Sequence, residues 1–206
     1  KDRASFCAAT GLDPSKPYVL YLCSSKSISE RETELIQMLI SHFESVDEKH
    51  RPALLVRPHP FKDMEADDLE NEWVKVFPKG GQRPDTDEAR STYYDSLYHC
   101  AAVIGVNTTG FLESAILDKP CLTLANSMTS AGQEMRAHFK HLMDAGYIEV
   151  AKDFPELVNK TMQIVSGADV RKENRAKFVH DFIRPHGFDV SASKVMTGAI
   201  LAVANG

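Results

Sequence analysis

The sequence has no long hydrophobic run and no concentration of basic residues. Its longest apolar stretches have the length of strands, well below the roughly 18 residues that a membrane-spanning helix requires. Lys and Arg number 24 against 29 Asp and Glu, so the formal net charge is -5. This balance argues against nonspecific nucleic-acid binding, which depends on basic patches. With no recognisable signal peptide either, we expect a cytoplasmic protein without a membrane span.

The sequence also lacks the spacings that are typical of metal sites. Its four cysteines form no CxxC pair, and its eight histidines include no HExxH or similar arrangement. Three of the cysteines lie within or beside apolar strands, so we interpret all four as buried, reduced thiols. We therefore predict no metal site and no disulfide.

Two common phosphate-binding motifs are missing as well. No GxGxxG follows the first predicted strand, where Ser24-Ser25-Lys26-Ser27 stands instead. The P-loop pattern GxxxxGK[ST] does not occur anywhere in the chain. The sequence thus indicates neither a dinucleotide cofactor nor a P-loop nucleotidase, and we expect no cofactor.

What the sequence does contain is a regular alternation of apolar strands and amphipathic helices. The 206 residues, 43% of them hydrophobic, suffice for a single domain with a full core. Ser29 is a candidate N-cap of the first long helix, with Glu32 as its capping-box partner. Residues 79–90 are predicted to form a long surface loop. The predicted strands are PYVLYLC, ALLVRP, WVKVFP, AAVIGV, CLTLA and YIEVA. Later helices are expected near 109–117, 132–145, 170–183 and 190–204, and one more is expected to be capped by Asp153 with Pro155 in its first turn.

This alternation predicts a doubly wound α/β fold, in which about six parallel strands form a Rossmann-like sheet with helices on both faces. In such sheets ligands bind beyond the carboxyl ends of the strands, where the strand order reverses. In the usual order 3-2-1-4-5-6 this crevice lies between strands one and four. The residues that follow strands one, two and four are therefore the candidates for a binding site.

All three of these strand exits carry polar groups. Strand one ends in Ser24-Ser25, strand two in Arg57-Pro58-His59, and strand four in the turn Asn107 to Gly110, which opens into a helix. Unpaired N–H groups and the helix dipole at such a turn favour a phosphate. The alternative is that Asn107 or Thr108 is merely an N-cap. The predicted phosphate site comprises Ser24, Ser25, Arg57, His59, Asn107, Thr108, Thr109 and Gly110.

Glu113 lies one helical turn after Thr109 and is expected to point toward the same crevice. A carboxylate at this place suits the hydroxyls of a ribose, as the acidic residue of dinucleotide folds does. The alternative is a first-turn acid that complements the helix dipole.

The segment YHCAAVIGVNTTGFLESAILDKPCLTL resembles the donor-binding half of GT-B glycosyltransferases. RPHP resembles the His-Pro motif of bacterial enzymes that use nucleotide-activated donors for capsule, teichoic acid and lipopolysaccharide synthesis. These enzymes include capsule Kdo transferases and CDP-glycerol glycerophosphotransferases. The turn differs from them: it reads NTT where serine is commoner, and a glycine pair before the helix is missing. These departures leave the identity of the donor open.

The resemblance implies a role for each matching residue. His59 would contact the donor phosphate together with Thr108 and Thr109, Glu113 would hold the ribose, and the segment from Phe77 to Lys79 would lie beside the base. The donor would be a sugar or polyol phosphate activated by CMP, CDP or UDP. The chain would be a single nucleotide-sugar-binding domain over 1–206, with 1–16 resembling an interdomain linker and a C-terminal helix at 190–204. A saccharide or lipid-linked acceptor and the general base would belong to a missing N-terminal domain.

His138 and His141 are weaker candidates for contact with the sugar. Both are predicted on a helix after strand five, near the expected sugar position, although a surface or cap role is the preferred interpretation. The final helix, SASKVMTGAILAVA, is predicted to pack on a part of the enzyme that this chain does not include.

The leading hypothesis is therefore the donor-binding domain of an inverting glycosyltransferase in surface polysaccharide synthesis, inactive without its acceptor domain. Metal independence is expected because no DxD-type acidic pair follows a strand, while Arg57, His59 and the helix end could stabilise the departing phosphate. Two alternatives remain: a non-hydrolysing UDP-sugar 2-epimerase, or a module that binds a nucleotide without catalysis.

Overall fold

The computed structural model describes residues 1–60, 69–133 and 137–205, and it contains one six-stranded parallel sheet. The strands run in the order β3-β2-β1-β4-β5-β6, and every neighbouring pair is parallel. The predicted doubly wound fold and its strand order are thereby confirmed. The strands are β1 (Tyr18–Leu22), β2 (Ala53–Arg57), β3 (Val74–Val76), β4 (Ala102–Gly105), β5 (Cys121–Leu124) and β6 (Ile148–Ala151).

Helices connect the strands and cover both faces of the sheet. The predicted loop at 79–90 ends earlier than expected, because the hydroxyl of Thr86 accepts a hydrogen bond from the N–H of Ala89 and begins a helix. Of the single helix expected at 132–145, the structure describes Ser130–Gln133 and Ala137–Asp144 as helical, and residues 134–136 lie outside the described part. The described helices are α1 (Arg3–Thr10), α2 (Glu32–Phe43), α3 (Asp87–Tyr98), α4 (Gly110–Ile116), α5 (Ser130–Gln133), α6 (Ala137–Asp144), α7 (Phe154–Val165), α8 (Lys172–Phe178), which continues as a π-helical turn over Val179–Ile183, and α9 (Ala192–Ala204).

The core has two layers, one on each face of the sheet. Every residue of β1, β2, β4 and β5 is buried, as expected for parallel strands covered by helices on both sides. Because side chains alternate along a strand, Val19 and Tyr21 join the layer that contains α2 and α7, while Tyr18, Leu20 and Leu22 join the other. The polar groups that follow β1, β2 and β4 are therefore carried on a rigid, close-packed frame.

The predicted capping box at the start of α2 is wrong. The helix begins at Glu32 itself, its N-cap position is Arg31, and no side chain caps it. The Glu32 carboxylate is fully buried instead, and its two oxygens accept the N–H of Ser24 at 2.9 and 3.0 Å and the hydroxyl of Tyr21 at 3.3 Å. Glu32 therefore holds the end of β1 and does not take part in a cap with Ser29.

The two ends of the described chain pack differently. In the segment 1–16, helix α1 is capped by Asp2 and buries Phe6 and Cys7 in the core. All four cysteines are buried and free of disulfides, as predicted. In contrast, α9 has no buried residue and exposes Met196, Ile200, Leu201 and Val203. None of the described helices is both long and apolar enough to span a bilayer.

Candidate functional site

A cleft of about 210 Å³ lies at the carboxyl ends of β1, β2 and β4. A larger cavity of about 570 Å³ lies near the amino ends of β2 and β3, beside Ala53 and Trp73. We favour the smaller cleft because doubly wound sheets bind ligands at their carboxyl edge, and because it contains an unusual buried charge. Its lining residues are Leu22, Cys23, Arg57, Pro58, His59, Pro60, Gln82, Pro84, Tyr93, Thr108, Thr109 and Glu113.

That charge is the guanidinium of Arg57. Arg57 is the last residue of β2 and is only 4% exposed. Neither terminal nitrogen, Nη1 or Nη2, has a hydrogen-bond partner among the described residues. Burial lowers the pKa of Arg57 to about 10, so the side chain is still a cation at neutral pH. A buried cation whose terminal nitrogens lack hydrogen-bond partners is costly, and an anionic ligand would supply the missing acceptors.

Tyr93 of α3 forms the wall next to Arg57, and the sequence analysis did not identify it. The Cζ atom of Arg57 lies 5.1 Å from the centroid of the Tyr93 ring, within the range of a cation–π interaction. The Tyr93 hydroxyl donates a hydrogen bond to Oε2 of Glu113. Burial, reinforced by the Glu113 charge, raises the pKa of Tyr93, so it remains a neutral donor. Tyr93 is one helical turn after the buried Ala89, and this spacing could have indicated that it faces inward.

The turn after β4 forms the opposite wall through Thr108 and Thr109. The Thr108 hydroxyl accepts the N–H of Gly110 at 3.2 Å, while Thr109 occupies the N-cap position without a capping hydrogen bond from its side chain. A Cβ atom at Gly110 would lie 2.4 Å from Cδ1 of Leu22, so any larger residue here would require the buried Leu22 side chain or the first turn of α4 to shift. Both threonines line the cleft, and Thr109 is exposed.

Ser24, Ser25 and Asn107 were predicted to bind phosphate, but none of them lines the cleft. Ser24 is buried; its hydroxyl donates to the carbonyl of Asn107 at 3.2 Å and accepts the Asn107 N–H at 3.4 Å. Ser25 shares a hydrogen bond with Ser27 at 3.0 Å. The Ser24 hydroxyl and the backbone of Asn107 thus tie the ends of β1 and β4 together, and phosphate binding by Ser24, Ser25 and Asn107 stays a prediction.

Gly110 and four further candidates also lie outside the cleft lining. Phe77 packs against the core, with a cis peptide bond to Pro78, and Lys79 forms an ion pair with Glu70 at 2.7 Å. His138 and His141 are exposed on α6. Their predicted contacts with base and sugar stay predictions. Within the parts of the chain that are described, no three His, Cys, Asp or Glu side chains are grouped so as to hold a metal ion.

Neither a protein-family model nor a curated protein matches this chain. Solved structures do resemble it. A variant of the wall teichoic acid polymerase TagF has a TM-score of 0.59 at 12% identity, over 87% of this chain and 42% of its own. The calicheamicin glycosyltransferase CalG4 gives 0.56 at 13% identity, over 90% and 44%. The UDP-GlcNAc 2-epimerase of Methanocaldococcus jannaschii gives 0.52 at 13% identity, over 88% and 49%.

At these identities the likeness concerns the fold alone. It confirms the predicted fold class, a Rossmann-like domain that matches one half of a GT-B structure. The chain spans less than half the length of each of these solved structures.

Proposed function

We propose that this chain is the domain of a glycosyltransferase that binds the nucleotide-activated donor, a sugar or polyol phosphate carried by CMP, CDP or UDP. The observation that supports it most strongly is the buried Arg57, whose terminal nitrogens lack hydrogen-bond partners among the described residues. A phosphate group in the cleft would supply both the charge and the acceptors that this guanidinium needs.

In this proposal the residues that line the cleft bind the phosphate and the ribose of the donor. Arg57 and His59 bind the donor phosphate from the end of β2, and Thr108 and Thr109 bind it from the turn before α4. Glu113 accepts hydrogen bonds from the ribose at the rim. The segment 77–79 borders the base, and His138 or His141 approaches the sugar.

The same groups would stabilise the transition state. When the bond between sugar and phosphate breaks, negative charge accumulates on the leaving oxygen, and preorganised donors then bind more strongly than in the ground state. We propose inversion at the sugar carbon without a metal ion, with Arg57 and His59 bearing this charge. The acceptor and the general base are assigned to a separate N-terminal domain, in a cytoplasmic enzyme of bacterial surface polysaccharide (capsule-type) synthesis.

A second candidate is a UDP-sugar 2-epimerase. Its support is the TM-score of 0.52 to an epimerase, which is close to the 0.56 obtained for a glycosyltransferase. Incubation of the complete protein with a UDP-sugar and no acceptor separates these functions. An epimerase converts the substrate to its 2-epimer, which still carries UDP, whereas a transferase without acceptor leaves the substrate unchanged. A module that only binds a nucleotide would leave it unchanged both without and with an acceptor.

The binding step can be tested directly on this chain. Melting temperatures are measured with CMP, CDP, UDP and GDP, with ribose 5-phosphate as a control that lacks the base. A ligand that binds only the folded state raises the melting temperature according to its affinity. We expect at least one pyrimidine nucleotide to raise it more than the control does, and no transfer by the chain alone, since an acceptor is not positioned for attack. No shift with any nucleotide at millimolar concentration would contradict the proposal.

A further inference from the structure

Tyr93 contacts both charged groups of the cleft, one with its hydroxyl and the other with its ring. We infer that Tyr93 is a positioning residue that sets the preference of the site for a ribose with free hydroxyls, by holding Glu113 in place. This inference rests on the proposed nucleotide site and adds a determinant of its specificity.

Without Tyr93, the Glu113 side chain would be mobile. Glu113 is exposed on α4, and among the described residues the Tyr93 hydroxyl is the one hydrogen-bond partner of its carboxylate. An exposed glutamate samples several rotamers, and fixing it costs conformational entropy when a ligand binds. Tyr93 restricts this side chain before the ligand arrives. Because it occupies Oε2, it leaves Oε1 to accept from a ribose hydroxyl.

The hydroxyl of Tyr93 is itself held in position. Tyr93 is one of the partly buried residues packed against the core. A Cβ atom at Gly110 would lie 3.1 Å from the Tyr93 hydroxyl oxygen, so this oxygen lies directly against the first turn of α4. The hydroxyl that directs Glu113 is thus fixed by the same turn that carries Thr109 and leads to Glu113.

The hydroxyl and the ring of Tyr93 contact different residues and can be tested separately. The ring lies against Arg57, with 5.1 Å between the guanidinium carbon and the ring centroid. Tyr93→Phe removes the hydrogen bond to Glu113 and keeps the aromatic face for Arg57. Tyr93→Leu removes both. The two variants therefore affect different parts of a bound nucleotide: the first the ribose, the second the ribose and the phosphate.

The experiment measures dissociation constants by calorimetry for CDP and UDP and for their 2′,3′-dideoxy counterparts. We expect the unsubstituted chain to prefer the ribonucleotides. Tyr93→Phe should reduce this preference by about tenfold, the typical effect of a hydrogen bond to a charged group, and leave the affinity for the dideoxynucleotides unchanged. Tyr93→Leu should weaken the binding of both kinds. Tyr94→Phe is the matched control, because Tyr94 is exposed and stacks on Tyr98; it should change neither.

A second variant tests the same contact from the other side. Glu113→Gln should also lower the ribose preference, and the double variant Tyr93→Phe/Glu113→Gln should lower it no further than the larger single effect. Circular dichroism confirms the fold of each variant. An unchanged ribose preference in Tyr93→Phe, or an equal loss for the dideoxynucleotides, overturns the inference and leaves the proposed function standing. If the unsubstituted chain binds none of these nucleotides, both are overturned.

Discussion

The guanidinium of Arg57 lies over the ring of Tyr93, 5.1 Å from its centroid, although the two residues belong to a strand and a helix that are distant in sequence. The ring shields the cation from water, and in the described chain no side chain or carbonyl replaces the lost hydrogen bonds of its terminal nitrogens. The buried charge of Arg57 therefore lowers the stability of the ligand-free fold, but it is also the group that an anionic ligand would bind.

The first prediction is that Arg57→Met stabilises the ligand-free chain. Because burial lowers the pKa of Arg57 to about 10, folding disfavours its charged form, and this cost is fully present at neutral pH and fades only above pH 10. The cation–π contact offsets part of the cost. Removing the charge should therefore raise the free energy of unfolding in urea by about 1–3 kcal/mol, while nucleotide affinity falls by at least roughly tenfold. Arg90→Met, on the exposed surface of α3, is the control for both measurements; a less stable Arg57→Met would contradict the account.

The second prediction concerns His59, which lines the cleft next to Arg57. In the complete enzyme, His59→Ala should lower the turnover rate by about 100-fold to 1000-fold, the scale seen when one preorganised donor is lost. Nucleotide affinity should fall much less, because Arg57 and the threonine turn remain. His59→Gln keeps an N–H donor and should recover part of the rate if hydrogen bonding is its role, but little if a mobile proton is required.

The rate and the melting temperature of His59→Ala are measured on one sample. A histidine that only shapes the turn between Pro58 and Pro60 would lower stability and leave the rate per folded molecule normal. That outcome would remove His59 from the mechanism. His50→Ala, at an exposed position, should leave both quantities unchanged.

The third prediction concerns the buried Glu32. Both of its carboxylate oxygens accept the N–H of Ser24, so Glu32→Gln replaces one acceptor oxygen with an amide NH2, which is itself a donor. The free energy of unfolding should drop by about 1–3 kcal/mol, the cost of a buried group left without its partner. Glu34→Gln, which removes only an exposed contact with Arg31, should change it by less than about 0.5 kcal/mol. Equal stability of the two variants in urea would show that Glu32 does not anchor the end of β1.

The fourth prediction compares two helical glycines. Gly110→Ala would place a Cβ 2.4 Å from Leu22 and 3.1 Å from the Tyr93 hydroxyl, and the strain should displace the turn before α4. We expect nucleotide affinity to fall by roughly tenfold or more, with a destabilisation of about 1–3 kcal/mol. Gly198→Ala on α9 has nothing within 4 Å of the new Cβ, so it should leave affinity unchanged and stability equal or slightly higher. Unaltered affinity in Gly110→Ala would show that the exact position of the turn is unimportant.

The sequence by itself determined the architecture and the position of the cleft. Six apolar runs separated by helical patterns allow few arrangements other than a doubly wound sheet, since parallel strands need right-handed crossovers. This topology brings the ends of β1, β2 and β4 together. Arg57, His59, Thr108, Thr109 and Glu113 could therefore be expected at one edge, and all five line the cleft.

Tertiary structure alone decided which polar groups near that edge face the cleft. Ser24 and Asn107 follow their strands as directly as Arg57 does, yet neither lines the cleft, and the Ser24 hydroxyl bonds the backbone of Asn107. The sequence predicted Glu32 as part of a helix cap, but Glu32 is buried at the end of β1. The sequence analysis did not distinguish Tyr93 from the other tyrosines of α3, although its hydroxyl contacts Glu113 in the cleft. The physical reason is that a strand specifies where its side chains leave the sheet, whereas the direction of a turn or of a neighbouring helix depends on packing against elements that are distant in sequence.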